Sequence, residues 1–302
     1  MKRMIKGLLK KAPYVRDLQD KIARQGVYPA GHYYSPIPDR QEILEYVERR
    51  KAPRLELPDV PLNKELQFEL LNEYAVFYKD VPFPESQSTT CRYYYDNIWF
   101  RYADAIFLYS FLRKHVPKRI IEVGSGFSSA VILDTVDGFF PSRPEITFIE
   151  PHPDRLRRLL RSGDDNQVRI IDQKIQAAPG ELFSSLQSGD FLFIDSSHVL
   201  KSGSDLQVLM FEILPMVPAG VFVHFHDVFY PFDYPDAWLR EGRYWNESYF
   251  LRAFLSYNHD WSVYFFNTYV AVAFSDFIKD KMPLCQKDPG GSLYIQRVKK
   301  SR

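Results

Sequence analysis

A chain of 302 residues with 39 Lys and Arg against 38 Asp and Glu carries a formal charge of +1, so no global field recruits nucleic acid. With 45% hydrophobic residues it can bury a full core, as one large domain or one domain with additions. Two cysteines, Cys91 and Cys285, make neither a disulfide framework nor a cysteine zinc site, and they suit a reducing cytoplasm.

Residues 1–24 hold eight Lys or Arg against Asp17 and Asp20. Residues 1–9 have no long apolar run, so neither a signal peptide nor stable membrane insertion is expected. Nine of the 21 prolines fall in residues 1–95. The run 28–38, with Pro29, Pro36 and Pro38, cannot be a regular element, because proline fixes φ and removes a donor. Two helices are predicted inside this arm: 39–50, opened by a capping Asp39, and 63–78, with apolar residues at helical spacing. The arm wraps the core, covers a binding site or pairs subunits into a homo-oligomer; the sequence does not choose.

From Trp99 the pattern alternates. Helices are predicted over 100–115, 127–136, 153–162, 206–214 and 246–257, with apolar strands over 119–123, 146–150, 168–171, 191–194 and 220–226. Such near-continuous apolar strands between helices indicate a parallel sheet buried on both faces. After them, 261–266 and 269–274 are separated only by Asn267-Thr268, which suits an antiparallel hairpin. Residues 277–302 read as a polar tail with one short strand, 292–298.

Acidic residues gather at strand ends. The first strand runs through Glu122 into Gly124-Ser-Gly126, where a tight turn and a helix N-terminus form a cradle for an anionic group. Glu150 closes the second strand, Asp195 the fourth, and His226-Asp227 the fifth. Gly124-x-Gly126 alone is an ordinary strand-to-helix turn, but a carboxylate in an apolar strand needs a partner.

On these residues, 119–298 resembles the class I S-adenosylmethionine-dependent methyltransferases. Within them it is similar to a bacterial subgroup with Asp-x-x-His after the fourth strand (Asp195 to His198), an acid in the next helix (Asp205), and His-Asp after the fifth (His226-Asp227). The resemblance implies a Rossmann-like α/β fold: a seven-stranded, mostly parallel sheet with a C-terminal antiparallel hairpin and helices on both faces. The implied division is a Pro-rich extension at 1–95, a methyltransferase domain at 96–276 and a tail at 277–302. It implies that Gly124 and Gly126 let the backbone approach the methionine part of S-adenosylmethionine, that Glu122 faces its ammonium, and that Glu150 accepts from both ribose hydroxyls. A carboxylate suits a vicinal diol, since it offers lone pairs and no donor. Gln176 matches loosely a position that contacts adenine, and Asp195 lies beside cofactor and acceptor.

For catalysis, methyl transfer to a hydroxyl needs positioning and a base, and a neutral imidazole suits that task near neutral pH. His226 or His198 is the expected base, with Asp227 or Asp195 orienting it; His224 reads as a core histidine bonded to backbone. A divalent ion is left open, because the acidic pair that magnesium-using relatives carry after the fifth strand is His226-Asp227 here. The aromatic run 229–238 and the rings Tyr93, Tyr94, Tyr95 and Trp99 are expected as walls for the acceptor, a small-molecule or glycan-linked hydroxyl. Two readings compete. In an NAD(P)-dependent oxidoreductase Ser129 would replace the third glycine of the fingerprint, and Glu122 would repel a pyrophosphate. A catalytically silent scaffold of the same fold is the other.

Overall fold

The computed structural model describes residue 13 and residues 26–52 and 55–298. The basic segment read in residues 1–24 lies, Pro13 apart, outside the described residues. The described residues fall into two compact units, those up to residue 52 with 234–244, and 55–233 with 245–298.

In the smaller unit Asp39 opens α1 (Arg40–Arg49) by accepting from the amides of Gln41, at 2.7 Å, and Glu42, at 3.2 Å. Arg50 follows the helix and donates to the Tyr234 carbonyl at 2.8 Å and to the Asp236 carboxylate. The rings of Tyr33 and Tyr34 are exposed here, Tyr33 stacked on His32 and Tyr34 tilted against it.

The larger unit holds the sheet. Its elements are α2 (Lys64–Tyr78), α3 (Tyr102–His115), β1 (Arg119–Val123), α4 (Phe127–Phe139), β2 (Glu145–Ile149), α5 (Asp154–Leu159), β3 (Arg169–Ile171) and β4 (Phe191–Ile194). Then come α6 (Asp205–Val208), which runs through a π-helical turn into Leu214–Met216, and β5 (Phe222–His226). The chain finishes with α7 (Glu247–Leu255), β6 (Trp261–Phe266), α8 (Asn267–Ala273), α9 (Ser275–Lys281) and β7 (Ser292–Arg297).

Seven strands line up in the order β3-β2-β1-β4-β5-β7-β6. Strands β1 to β5 pair parallel, and β7 runs antiparallel to both β5 and β6. The four residues of β4 and the five of β5 are buried throughout, as a sheet covered on both faces requires. Helix α3 is buried from Tyr102 to Leu112 because it is apolar nearly all round. It packs against α2 and α4, and its Phe107 meets Tyr74 of α2 and Phe265 of β6.

One expected strand is a helix. Residues 269–274 lie mostly in α8, and the antiparallel partner of β6 is β7, from the segment read as a tail. Leu293 pairs with Phe266 on one side and with Phe225 on the other. With that slot filled, residues 269–274 have no strand to pair with on that side, and Asn267 turns its side chain to buried Asp104 instead of forming a tight link. Residues 55–95 and 277–298 belong to the same compact unit as the sheet. Among the described residues no helix is long and apolar enough to cross a membrane.

Candidate active site

Strand order reverses between β1 and β4, so the loops leaving their carboxyl ends run to opposite sides and frame a crevice where ligands of such sheets bind. A cleft of about 400 Å³ opens there, within the size range of small-molecule sites. Gly124, Glu150, Gln176 and Asp195 line it, after β1, β2, β3 and β4, and Ser204 and Asp205 close the far side. Gly124 has φ +79°, a left-handed conformation that favours glycine, and it follows β1 directly.

Glu150 holds the first turn. Its Oε2 accepts from the Ser125 amide at 3.1 Å and its Oε1 from the His152 amide at 2.8 Å. Each oxygen retains a lone pair for a diol in the cleft. Gln176 spends its amide N–H on the Gly203 carbonyl at 3.0 Å, which closes the cleft wall. Asp205 accepts from the amide and hydroxyl of Ser197, both at 2.6 Å, and so pins the loop after β4.

Glu122 does not line the cleft. It is fully buried beneath α4, and its two oxygens accept from the hydroxyls of Ser128, at 2.5 Å, and Ser129, at 2.6 Å. Burial pushes its pKa up to about 8, against the pull of the two serines. Ser129 also accepts from the Gly126 amide at 3.0 Å. Glu122 therefore ties the glycine turn to the helix that follows it.

A buried cluster of imidazoles and carboxylates stands beside the cleft. His198 has φ +60° and buries its ring, with Nδ1 2.8 Å from Glu247 Oε2. Its Nε2 faces Asp195 Oδ1 at 3.4 Å and Asp227 Oδ2 at 3.6 Å. Burial opposes its charge, yet the bonds to Asp195 and Glu247 hold its pKa well above the usual imidazole value. His226 places Nε2 3.5 Å from Asp227 Oδ1, while its Nδ1 has no hydrogen-bond partner among the described residues. Burial lowers the pKa of His226, but Asp227 and then Asp195 and Asp104 outweigh it, and the net shift is upward. Asp195 is lowered overall: burial raises it, and His198 and His226 pull it below the usual range.

His224 is a core residue, as expected, but not one bonded to backbone. It lies flat on Phe193 at 4.0 Å, and neither ring nitrogen has a hydrogen-bond partner among the described residues. Burial drives its pKa well below the usual value and keeps it neutral. Ser204 caps α6, accepting from the Gln207 amide at 3.2 Å.

Most expected wall rings are core. Tyr93 and Tyr95 are buried against Phe83 and one another, and Tyr230 and Phe232 pack on Phe266. Trp99 alone of that group stands half in solvent, under the Arg155 guanidinium at 3.9 Å.

Two acids escaped sequence reasoning. Asp104, buried in α3, accepts from Ser292 Oγ at 2.6 Å and from the Gly291 amide at 3.0 Å, which ties α3 to the start of β7 near His226. Burial raises its pKa to about 6. Glu247, buried at the start of α7, binds His198. An acid inside the apolar run 102–112 was a readable sign for Asp104; for Glu247, a first-turn acid reads as a dipole partner only. Among the described residues no group of three or more His, Cys, Asp or Glu side chains is arranged to hold a metal ion.

Known proteins bear on this arrangement. A family model described as a methyltransferase domain matches residues 121–228. An uncharacterized protein of Archaeoglobus fulgidus is 34% identical over 167 residues, 53% of this chain and 74% of the relative. Among solved structures the chain is similar to the SAH-bound methyltransferase PaMTH1 of Podospora anserina, at 15% identity and TM-score 0.42, over 86% of this chain and 95% of that one. It is also similar to the O-methyltransferase TomG of Streptomyces achromogenes in complex with SAM, at 17% identity and TM-score 0.39, over 76% and 90%. The match spans the glycine turn, Glu150 and the acids after β4 and β5, and the chain carries a methyltransferase domain over residues 121–228.

Proposed function

We propose that this enzyme methylates a hydroxyl of a small-molecule or glycan-linked acceptor, with a histidine as general base. The observation that carries the reading is the pair of buried imidazoles at the ends of β4 and β5, both facing Asp227, beside the cleft at the switch point. S-adenosylmethionine supplies a methyl group on a sulfonium centre that departs as a neutral thioether. The glycine turn and Glu150 hold and orient the nucleoside side of the cleft, and buried Glu122 fixes the turn from below. An imidazole takes the hydroxyl proton as the oxygen attacks, and a neighbouring carboxylate stabilises the imidazolium that results.

The charge argument against a dinucleotide lapses, because the Glu122 carboxyl lies under α4 and faces no pyrophosphate. Glu150 at the cleft rim remains compatible with a ribose diol. Cys91 and Cys285 are free thiols, which supports a cytoplasmic setting.

The test is transfer of labelled methyl from S-adenosylmethionine to a panel of phenols, sugar hydroxyls and amines, by the wild type and His226→Ala. Labelling of hydroxyl compounds that His226→Ala abolishes is the expected result. Labelling confined to amines would remove the base role, and S-adenosylhomocysteine binding without any transfer would favour a scaffold.

A further inference from the structure

His198 differs from His226 in how its ring is surrounded. Carboxylate oxygens stand at both of its nitrogens: Glu247 Oε2 2.8 Å from Nδ1, and Asp195 and Asp227 3.4 and 3.6 Å from Nε2. Carboxylates at both positions favour a proton on each nitrogen, since a neutral imidazole donates from one alone. His226 has a carboxylate at Nε2 alone.

The mount is rigid as well as charged. The His198 carbonyl accepts from the amides of Asn246 and Glu247 at 3.1 and 3.2 Å, so loop and helix are joined through backbone. The His198 amide donates to Ser196 Oγ at 2.9 Å, and Ser196 donates to Glu247 Oε1 at 3.1 Å. Trp245 lies over the imidazole at 4.3 Å. Glu247 is itself buried, so its charge has little water to lean on and depends on the imidazolium.

We infer that Glu247 is a positioning residue that fixes His198 with a proton on both ring nitrogens, making His198 the standing cation of the site and leaving the base role to His226. The charged groups closest to His198 are then assigned. Glu247 comes from α7, Asp195 from its own loop, and Asp227 and the partly repelling His226 from the end of β5. The cation screens Asp195 from Asp227 and keeps two carboxylates close together beside the incoming hydroxyl. This inference rests on the methyltransferase reading.

The experiment is a long-range proton–nitrogen NMR titration of histidine-labelled protein saturated with S-adenosylhomocysteine, with His198 assigned by its loss in His198→Asn. In the wild type His198 keeps both protons at a pH where an ordinary imidazole, with its midpoint near about 6.5, is neutral. In Glu247→Gln, which keeps size and removes charge, its midpoint falls by at least about one unit, the scale of one close carboxylate. A wild-type His198 that is neutral at that pH overturns the proposal even if Glu247→Gln does not fold, and so does a midpoint unmoved by the substitution. Calorimetry with S-adenosylhomocysteine separates the two readings: failure of the wild type to bind would strike the methyltransferase function, whereas binding with a neutral His198 strikes this inference alone.

Discussion

Gly124 and Asp195 face each other so closely that a Cβ on Gly124 would lie 2.1 Å from the Asp195 carbonyl oxygen. The contact joins the ends of β1 and β4 at the switch point, where the Asp195 amide already donates to the Val123 carbonyl at 2.8 Å. Any side chain at 124 pushes the two strand ends apart and widens the cleft floor.

Gly124→Ala therefore loses on two counts, the clash and a left-handed φ that costs an L-residue about 1–2 kcal/mol. The expected outcome is a lower melting temperature and S-adenosylhomocysteine binding weaker by at least about tenfold, read by calorimetry. Unchanged affinity would show that the turn does not shape the cofactor site.

Glu150→Gln keeps an acceptor but replaces a charged oxygen by an amide donor. Hydrogen bonds to a charged group are worth about 1.5–3 kcal/mol, so affinity for S-adenosylhomocysteine should fall roughly 10- to 100-fold. The fold should survive, since Glu150 is half-buried at the rim. Wild-type affinity in this variant would remove Glu150 from the site.

The base has a pH signature. His226 must be neutral to accept a proton, and Asp227 raises its pKa against the effect of burial. With an acceptor from the panel, the rate should rise with pH through a midpoint above the ordinary imidazole value. Asp227→Asn removes the charge, so the acid limb should move to lower pH. His226→Ala should cost about 10²- to 10⁴-fold in rate. A limb that stays put in Asp227→Asn would argue that Asp227 does not act on His226.

Glu122 should mark the stability profile. Its pKa is about 8 in the fold and near 4.3 in an unfolded chain, so the folded state binds the extra proton between those values. Stability then falls as pH rises from about 4.3 to about 8. Glu122→Gln should flatten this slope in denaturant titrations and leave the protein relatively more stable at the alkaline end. An unchanged slope would mean the group is ionised in the fold at neutral pH.

Arg92 is a target away from the cleft. Buried, it forms two bonds with Asp164, at 2.8 and 2.6 Å, and also reaches Asp134 at 2.9 Å and Asp137 at 2.8 Å. Arg92→Met strands three carboxylates, two of them buried, and should cost about 3–5 kcal/mol in chemical denaturation. A loss below about 1 kcal/mol would show that these acids are already solvated or neutral.

Much of this was legible along the chain. The strands 119–123 and 191–194 match their predicted bounds to the residue, because an apolar run between a charged start and a glycine or acidic end has few other uses. Glu150 and Asp195 could be placed at one crevice because parallel strands carry their ends to one edge. Where local pattern failed, a distant segment had intervened. Residues 269–274 alternate well enough for a strand, but β7 fills the position beside β6. Tyr93 and Tyr95 look like pocket rings until Phe83 and Tyr102 are seen to pack around them.

The sequence by itself determined the alternation of elements, the sheet's parallel character and the acids at its carboxyl edge, since each depends on periodicity or on neighbours in the chain. Tertiary structure alone decided what those acids do. Glu122 lies buried with both oxygens accepting from two serines of the next helix, a contact that only the packing of α4 on β1 brings about. His198 acquired its second carboxylate from Glu247, 49 positions away, and a charge state that depends on such a neighbour cannot be read from local sequence.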